Sequence, residues 1–457
     1  MQPNLPSEII DIIVDNIGSD AHQASSRYTL RALALVSAAL HTRAYGYLFQ
    51  DLHLVLYCRS SELDSNFLVI CRRTLTCLHD ILVAGLQFPG IGIVHHVQSA
   101  RITFVFAEKR DLTAVYQMPQ ISEILHALHG ADHGVTALRM EIIDIPGGPN
   151  SLKRSYPIHL SKRSNCDLYE AFVALCCSQR LTTLHLTNFA MHSKTLCGTN
   201  IEELHLEQFL FDDDDKNQPD VEADTILQLK SMALVDVRHG RATTYPKSSA
   251  ELLIKLAHSF YPSSNADIDQ SLFQPLAFSQ LTTLTLNDDD IDIQLTLFPQ
   301  LKTLKVLQNV FWMRRTMGFM TKLPQFFIPL PGVIRDLGST QNLIVETDIN
   351  FREIFLDDTE DVRLWDAWDI VDAHLTGAGL GLQHVRFIFR FRITPGRYLS
   401  YQQEPAFIAR NRRNLLDRFP LLVSSAFVPF SLDVLLDREG NMMESTVRCK
   451  GPRTGWW

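Results

Sequence analysis

Three groups of residues in this chain have the types that catalysis or metal binding uses, and their spacing argues against both. Gly377, Gly379 and Gly381 stand in GAGLG. A dinucleotide-cradling loop needs its glycines directly after a strand. These follow WDAWDIVDAHLT, a helix-like stretch, and so fit a helix C-terminus. His95 and His96 are adjacent, and adjacent side chains on a strand point to opposite faces, which denies them a shared metal ion. The eight cysteines lack a ligand rhythm: Cys71 and Cys77 are six apart, Cys176 and Cys177 are neighbours, and Cys58, Cys166, Cys197 and Cys449 stand alone. Without a CxxC pair, neither a zinc site nor a disulfide framework is expected. Walker, GxSxG and HExxH motifs are absent. The expectation is a protein that is not an enzyme, with no catalytic residues, no metal and no cofactor.

Two charged groups point to recognition. Asp212, Asp213, Asp214 and Asp215 form an acidic run in LFDDDDKNQPD. Such runs are ordinarily solvated loops; the sharper reading is an acidic lip for a basic partner segment. In VRFIFRFRI, residues 385–393, Arg386, Arg390 and Arg392 alternate with Phe and Ile. A strand there gathers much of the charge on one face, and Arg forks bind carboxylate and phosphate bidentately. From Leu380 on, twelve Arg and Lys stand against six Asp and Glu.

The whole chain of 457 residues has a formal charge of -9, with 46% hydrophobic and 20% charged residues. This is globular composition, and its sign gives no bulk attraction to nucleic acid or anionic membrane. No segment has the roughly 20 consecutive apolar residues that span a bilayer. The start, Met1 to Ser7, lacks the basic flank of a signal peptide, and no Asn-x-Ser/Thr sequon occurs. A reducing compartment, cytoplasm or nucleus, is expected.

The elements that position such residues begin with a helix from Asn4 to Gly18. Pro6 suits a first helical turn, Glu8 suits the positive end of the dipole, and Gly18 is placed to end the helix. Ile9, Ile10, Ile12, Ile13, Val14 and Ile17 cover an arc of roughly 200°, where a stripe somewhat over 100° reaches one core. The helix therefore either packs against two things or is wholly buried. A second apolar stretch, Tyr28 to Phe49, predicts one or two further helices. A unit of about fifty residues is near the lower limit for standing alone.

LPSEIIDIIVDNI, a short loop, LRALALVSAALHTRA and a closing LF together resemble the F-box, in the F-box-like form common in mushroom-forming fungi. Leu5 and Pro6 match the opening Leu-Pro, Glu8 the acid, and Ile9, Ile13 and Ile17 the apolar ridge. Leu30 matches the following Leu, and Val36 and Ser37 the Val-Ser pair. Leu40 stands where the family often has Trp or Phe, and Leu48–Phe49 where it has Leu-Trp. The resemblance implies binding to the SKP-type adaptor of a cullin–RING ubiquitin ligase through Leu5, Pro6, Ile9, Ile13, Ile17, Leu30, Val36 and Leu40.

Farther on, one pattern recurs: L-x-x-L-x-L, two residues, then a ninth position. Clear copies are Leu181-Leu184-Leu186 with Phe189, Ile201-Leu204-Leu206 with Phe209, Leu281-Leu284-Leu286, and Leu301-Leu304-Val306 with Asn309. Weaker ones begin at Val97, Val135, Leu229, Thr340 and Leu382. The last two apolar positions alternate as a strand with one buried face requires. The spacing resembles that of leucine-rich repeats. In that family the ninth residue, usually Asn or Cys, bonds the turn. Phe189 and Phe209 cannot, so those turns must satisfy their backbone otherwise. Helix-like stretches Ile121–His129, Leu168–Cys177 and Ala250–Phe260 precede strands, as in a repeat with helices outside and parallel strands inside. Residues 313–332 read as a loop. Leu432–Asp437, an EGN turn and Met442–Cys449 read as a hairpin.

The fold expected is α/β: an F-box-like helical module over residues 1–50, a helical linker or cap over 51–96, an irregular leucine-rich-repeat solenoid over 97–395, and a cap with a basic face over 396–457. The function implied is substrate recognition for an SCF-type ubiquitin ligase. The partners are the adaptor, through it a cullin, and a protein target. The alternative is a repeat scaffold whose N-terminal helices only cap it.

Overall fold

The computed structural model describes residues 7–21, 23–58, 67–87, 92–106, 109–130, 133–144, 157–212, 228–235, 237–239, 253, 256, 278–287, 298–311, 343–352, 368–376, 382–393, 404–438 and 441–443. It is an α/β structure with a large parallel sheet and helices. The chain divides into two compact units, Met1–Leu227 with His239–Arg241, and Gln228–Arg238 with Ala242–Trp457.

The first unit opens with α1 (Ser7–Ser19), α2 (Ala24–Ala34) and α3 (Ala38–Leu48). Then come β1 (Asp51–Cys58), α4 (Phe67–Leu86), β2 (Ser99–Phe106), α5 (Lys109–Tyr116), α6 (Pro119–Ala127), β3 (Ala137–Asp144), β4 (Ile158–Leu160), α7 (Cys166–Cys176), β5 (Thr183–Thr187), β6 (Phe189–Met191), β7 (Glu203–Glu207) and β8 (Leu210–Phe211). Strands β1, β2, β3, β5 and β7 lie side by side in that order, all parallel. Parallel neighbours need a crossover between them, and helices supply most of it.

Residues 51–96, expected to be helical, hold the first strand of this sheet as well as α4. In DLHLVLYC, Leu54 and Leu56 are buried while His53 and Tyr57 are exposed. That alternation of period two is a strand signal.

The buried sides of the strands form rows set by register. Leu54, Ile102, Met140, Leu186 and Leu206 make one row, and Leu52, Ala100, Leu138, Leu184 and Leu204 another. Helical side chains that are buried with them include Leu75 and Leu82 of α4, Ile121 and Leu125 of α6, and Leu168 and Phe172 of α7. Each large apolar side chain withdrawn from water contributes about 1.5–3 kcal/mol.

The turns solve the problem that Phe189 and Phe209 pose. Both phenylalanines are buried, and the residue before each takes the left-handed conformation: Asn188 at φ 64° and Gln208 at φ 49°. Asn188 Nδ2 donates to the Ile142 carbonyl at 2.7 Å, and Asn188 N–H donates to the Glu207 carbonyl at 3.0 Å. The bonding asparagine therefore stands at the eighth position. After each turn the chain enters a short second sheet, in which β4, β6 and β8 are parallel.

The second unit contains β9 (Ser231–Val235). A two-residue β10 (Arg238–His239) follows at the junction. Next are β11 (Thr283–Asn287), β12 (Thr303–Phe311), β13 (Leu343–Arg352), α8 (Trp368–Leu375), β14 (Leu382–Ile393), α9 (Glu404–Leu416), α10 (Pro420–Ser424), β15 (Phe430–Arg438) and β16 (Asn441–Met443). Strands β9, β11, β12, β13, β14 and β15 are neighbours in that order and parallel. Phe278 and Phe298, twenty residues apart, pack with ring centroids 5.2 Å apart ahead of β11 and β12.

Residues 396–457, expected as a cap, contribute another parallel strand. β15 pairs with β14 in parallel, and β16 turns antiparallel against it. Here α9 and α10 precede β15, the same helix-then-strand order as earlier in the chain. The segments GAGLG at 377–381 and 313–332 lie outside the described residues, as does 250–260 except for buried, helical Leu253 and Leu256.

Candidate functional site

Helix α1 divides its isoleucines into two stripes. Val14 is fully buried in a small core with Leu30, Ala34 and Ala44, and Ile10 and Ile17 pack against it. Ile9, Ile12 and Ile13 point the other way, at 43%, 59% and 45% exposed. Spacings of three and four residues keep each stripe on one side. Leu35 and Val36 follow the last turn of α2 at 88% and 69% exposed. Ser37 then caps α3, its hydroxyl accepting the Leu40 N–H at 3.3 Å.

The trio is pinned by charge. The Arg43 guanidinium donates to both carboxylate oxygens of Asp15, at 2.8 and 2.6 Å, and lies 3.1 Å from Asp11. Tyr47 Oη donates to Asp15 at 2.8 Å. These hydrogen bonds, first from Arg43 and then from Tyr47, hold the Asp15 carboxyl below its usual pKa. Gly18, expected to stop the helix, has another role: α1 runs on to Ser19, and the Tyr47 ring lies where a Gly18 Cβ would be, 2.5 Å from it.

Of the expected adaptor contacts, Ile9, Ile13 and Val36 lie at the surface. Leu40 and Ile17 are half-buried against the helical core. Leu30 is fully buried in that core and cannot contact a partner. Leu5 and Pro6 lie outside the described residues. Ile12 and Leu35, which are not among the expected contacts, are exposed as well, and the width of the apolar arc was the signal for Ile12.

The second feature is the polar side of the first unit's sheet. Register places His53, Arg101, Arg139, His185 and His205 in one row across five strands, and Val55, Thr103, Glu141, Thr187 and Glu207 in the next. Glu141 is 4% exposed. It accepts from Arg101 at 2.9 and 2.7 Å, from Thr103 Oγ1 at 3.3 Å, and from Arg139. Burial raises its carboxyl, but the hydrogen bonds of Arg101 and Arg139 outweigh it and hold the pKa below the usual value. The His185 and His205 rings stack at 3.9 Å, tilted by 24°. Burial, then the fields of His205 and Arg139, pushes the His185 pKa down to about 3. His205 is lowered by burial and then by Arg139. Both rings are thus shifted toward the neutral form.

The two charged groups singled out for partner binding are partly consumed inside the protein. Asp212 is 6% exposed, its N–H bonded to the Met191 carbonyl and its carboxylate 3.3 Å from His159 Nδ1. It is no part of a solvated lip; Asp213, Asp214 and Asp215 lie outside the described residues. On β14, Phe387, Phe389 and Phe391 are buried, and Arg386 and Arg390 are half-buried on the opposite side. Arg386 donates to Asp433 at 3.0 and 2.6 Å and approaches Glu346 at 3.4 Å, with Lys305 3.7 Å from Glu346. It closes a network over four strands and is not a free fork for a ligand. The Arg392 side chain lies outside the described residues.

No family model, no curated protein and no solved structure matches this chain.

Proposed function

We propose that this chain is the substrate-recognition subunit of an SCF-type cullin–RING ubiquitin ligase. Its α1–α3 trio engages the SKP-type adaptor, and the polar strand surfaces that follow engage a protein target. The observation that carries this reading is the doubled apolar stripe of α1. One stripe builds the trio's core; the other, Ile9, Ile12 and Ile13, faces solvent beside the acidic start of the helix. An exposed isoleucine stripe on a helix with its own core already satisfied is suited to a groove in a partner. The resemblance of Ile9 and Ile13 to the apolar ridge of the F-box supports the SKP-type adaptor as that partner.

The action is then positional. Holding a target near the charged conjugating enzyme turns a bimolecular attack into a near-intramolecular one, and no residue of this chain need touch the thioester.

The test is binding of purified SKP-type adaptor to the full chain and to Ile9→Asp and Ile12→Asp variants. Both positions are exposed, so the trio's core is untouched. A carboxylate buried at the interface costs on the order of 2–4 kcal/mol, or roughly thirty- to a thousand-fold in affinity. Tight binding by the wild type, lost in both variants, supports the reading. Wild-type affinity in both folded variants removes the isoleucine stripe from the interface, and no binding by the wild type removes the ligase role.

A further inference from the structure

The row of polar side chains on the first unit's sheet ends in a group that recognition by surface charge leaves unused. His185 of β5 and His205 of β7 occupy the same position of consecutive L-x-x-L-x-L copies, twenty residues apart, and register sets them directly opposite one another. Glu207 follows His205 by two, so β7 projects both from the same side of the sheet. One ligand atom from each of His185, His205 and Glu207 lies within 4.8 Å of the others. All three side chains are half-buried, so the rigid sheet supports them while one side stays open to solvent.

We propose that His185, His205 and Glu207 bind a divalent transition-metal ion, Zn2+ by the chemistry of the donors, with a solvent-facing coordination position left open. Two imidazoles and a carboxylate form a recurrent zinc set in which water completes the tetrahedron. Oxygen-only ions such as Mg2+ and Ca2+ have no use for the imidazoles. Drawing the three ligand atoms onto one ion asks for rotation of the stacked imidazoles about backbones that are already paired in register. The Thr187 hydroxyl, 3.1 Å from His185 Nε2, is placed to fix that ring's orientation, as outer partners of metal-binding histidines do. Arg139, which pairs with His185 across β3 and β5, is hydrogen-bonded to Glu141, and Glu207 supplies the negative charge that a divalent ion needs. The site is independent of adaptor binding. It would tie two adjacent strands together on the surface offered to a target.

The experiment is titration of the full chain with Co2+, which reports tetrahedral nitrogen and oxygen coordination by its visible bands and thiolate coordination by a separate charge-transfer band. The comparison set is the wild type, His205→Ala, Glu207→Gln and, as a control on the same row, His53→Ala. The expected result is one site without thiolate character, displaced by Zn2+. His205→Ala and Glu207→Gln should weaken it by more than about 100-fold, because even outer-shell changes cost 10–100-fold; His53→Ala should leave it unchanged. If His205→Ala fails to fold by circular dichroism, the near-isosteric Glu207→Gln decides. Absence of that site in the wild type, or wild-type affinity in the folded variants, overturns the proposal.

Discussion

At the scale of single residues, buried or bridged charges do the positioning. Asp15 links α1 to α3 through Arg43 and Tyr47, and its pKa is held below its ordinary 3.8. A carboxylate with a lowered folded pKa adds stability that is fully present above the unfolded value and fades as pH falls through the folded one. Asp15→Asn is therefore expected to lower the thermal midpoint of the helical trio near pH 7 and to matter progressively less below about pH 4. Thermal melts of both proteins across that range check it; a constant difference at every pH would remove the charge from the account. Asp372 of α8 acts similarly in the second unit. It is 1% exposed and accepts the N–H groups of Leu421 and Leu422 at 2.7 and 2.8 Å, closing the start of α10. Asp372→Ala leaves those donors without this acceptor and is expected to cost about 1–3 kcal/mol, read as a lower urea midpoint at unchanged slope.

At the scale of elements, the L-x-L segments were legible wherever alternation was strict. Leu184, Leu186, Leu204, Leu206, Leu284, Leu286, Leu304 and Val306 are all buried on strands where the pattern puts them. β1 was illegible for want of the preceding leucine of the motif, although DLHLVLYC alternates. The resemblance to leucine-rich repeats directs attention to the ninth residue, while the asparagine that bonds a turn, Asn188, stands at the eighth. For α1 the sequence left two options open, packing against two things or full burial; the structure rules out full burial, with Ile9, Ile12 and Ile13 exposed. The pairing of His185 with His205 had a signal, the LHL triplet repeated at twenty residues. It has meaning only once those two strands are known to be neighbours in register.

At the scale of the whole molecule, the parallel pairing is continuous in sequence order within each unit, and the helical trio precedes the first strand. The Gln50 carbonyl accepts the N–H groups of Gln98 and Ser99 at 2.9 and 3.0 Å, so the sheet's own bonding begins just after α3. Deleting residues 1–49 is expected to leave the far-ultraviolet signature of the sheet while abolishing adaptor binding. Global unfolding of that truncated chain would instead make the trio a cap, as the scaffold alternative holds.

Composition and periodicity by themselves determined which residues are apolar enough to build a core and at what interval strands recur, because burial needs only the right residues at the right period. They also determined the excess width of the α1 stripe, since an arc is a property of one helix. Which half of that stripe faces water, that Leu30 serves the core, that Asp212 is buried beside His159, that Arg386 is held in an internal ion pair, and that two histidines meet across β5 and β7 were decided only by the tertiary structure. Each of these depends on a neighbour distant in sequence, and strand register and helix packing alone fix which neighbour that is.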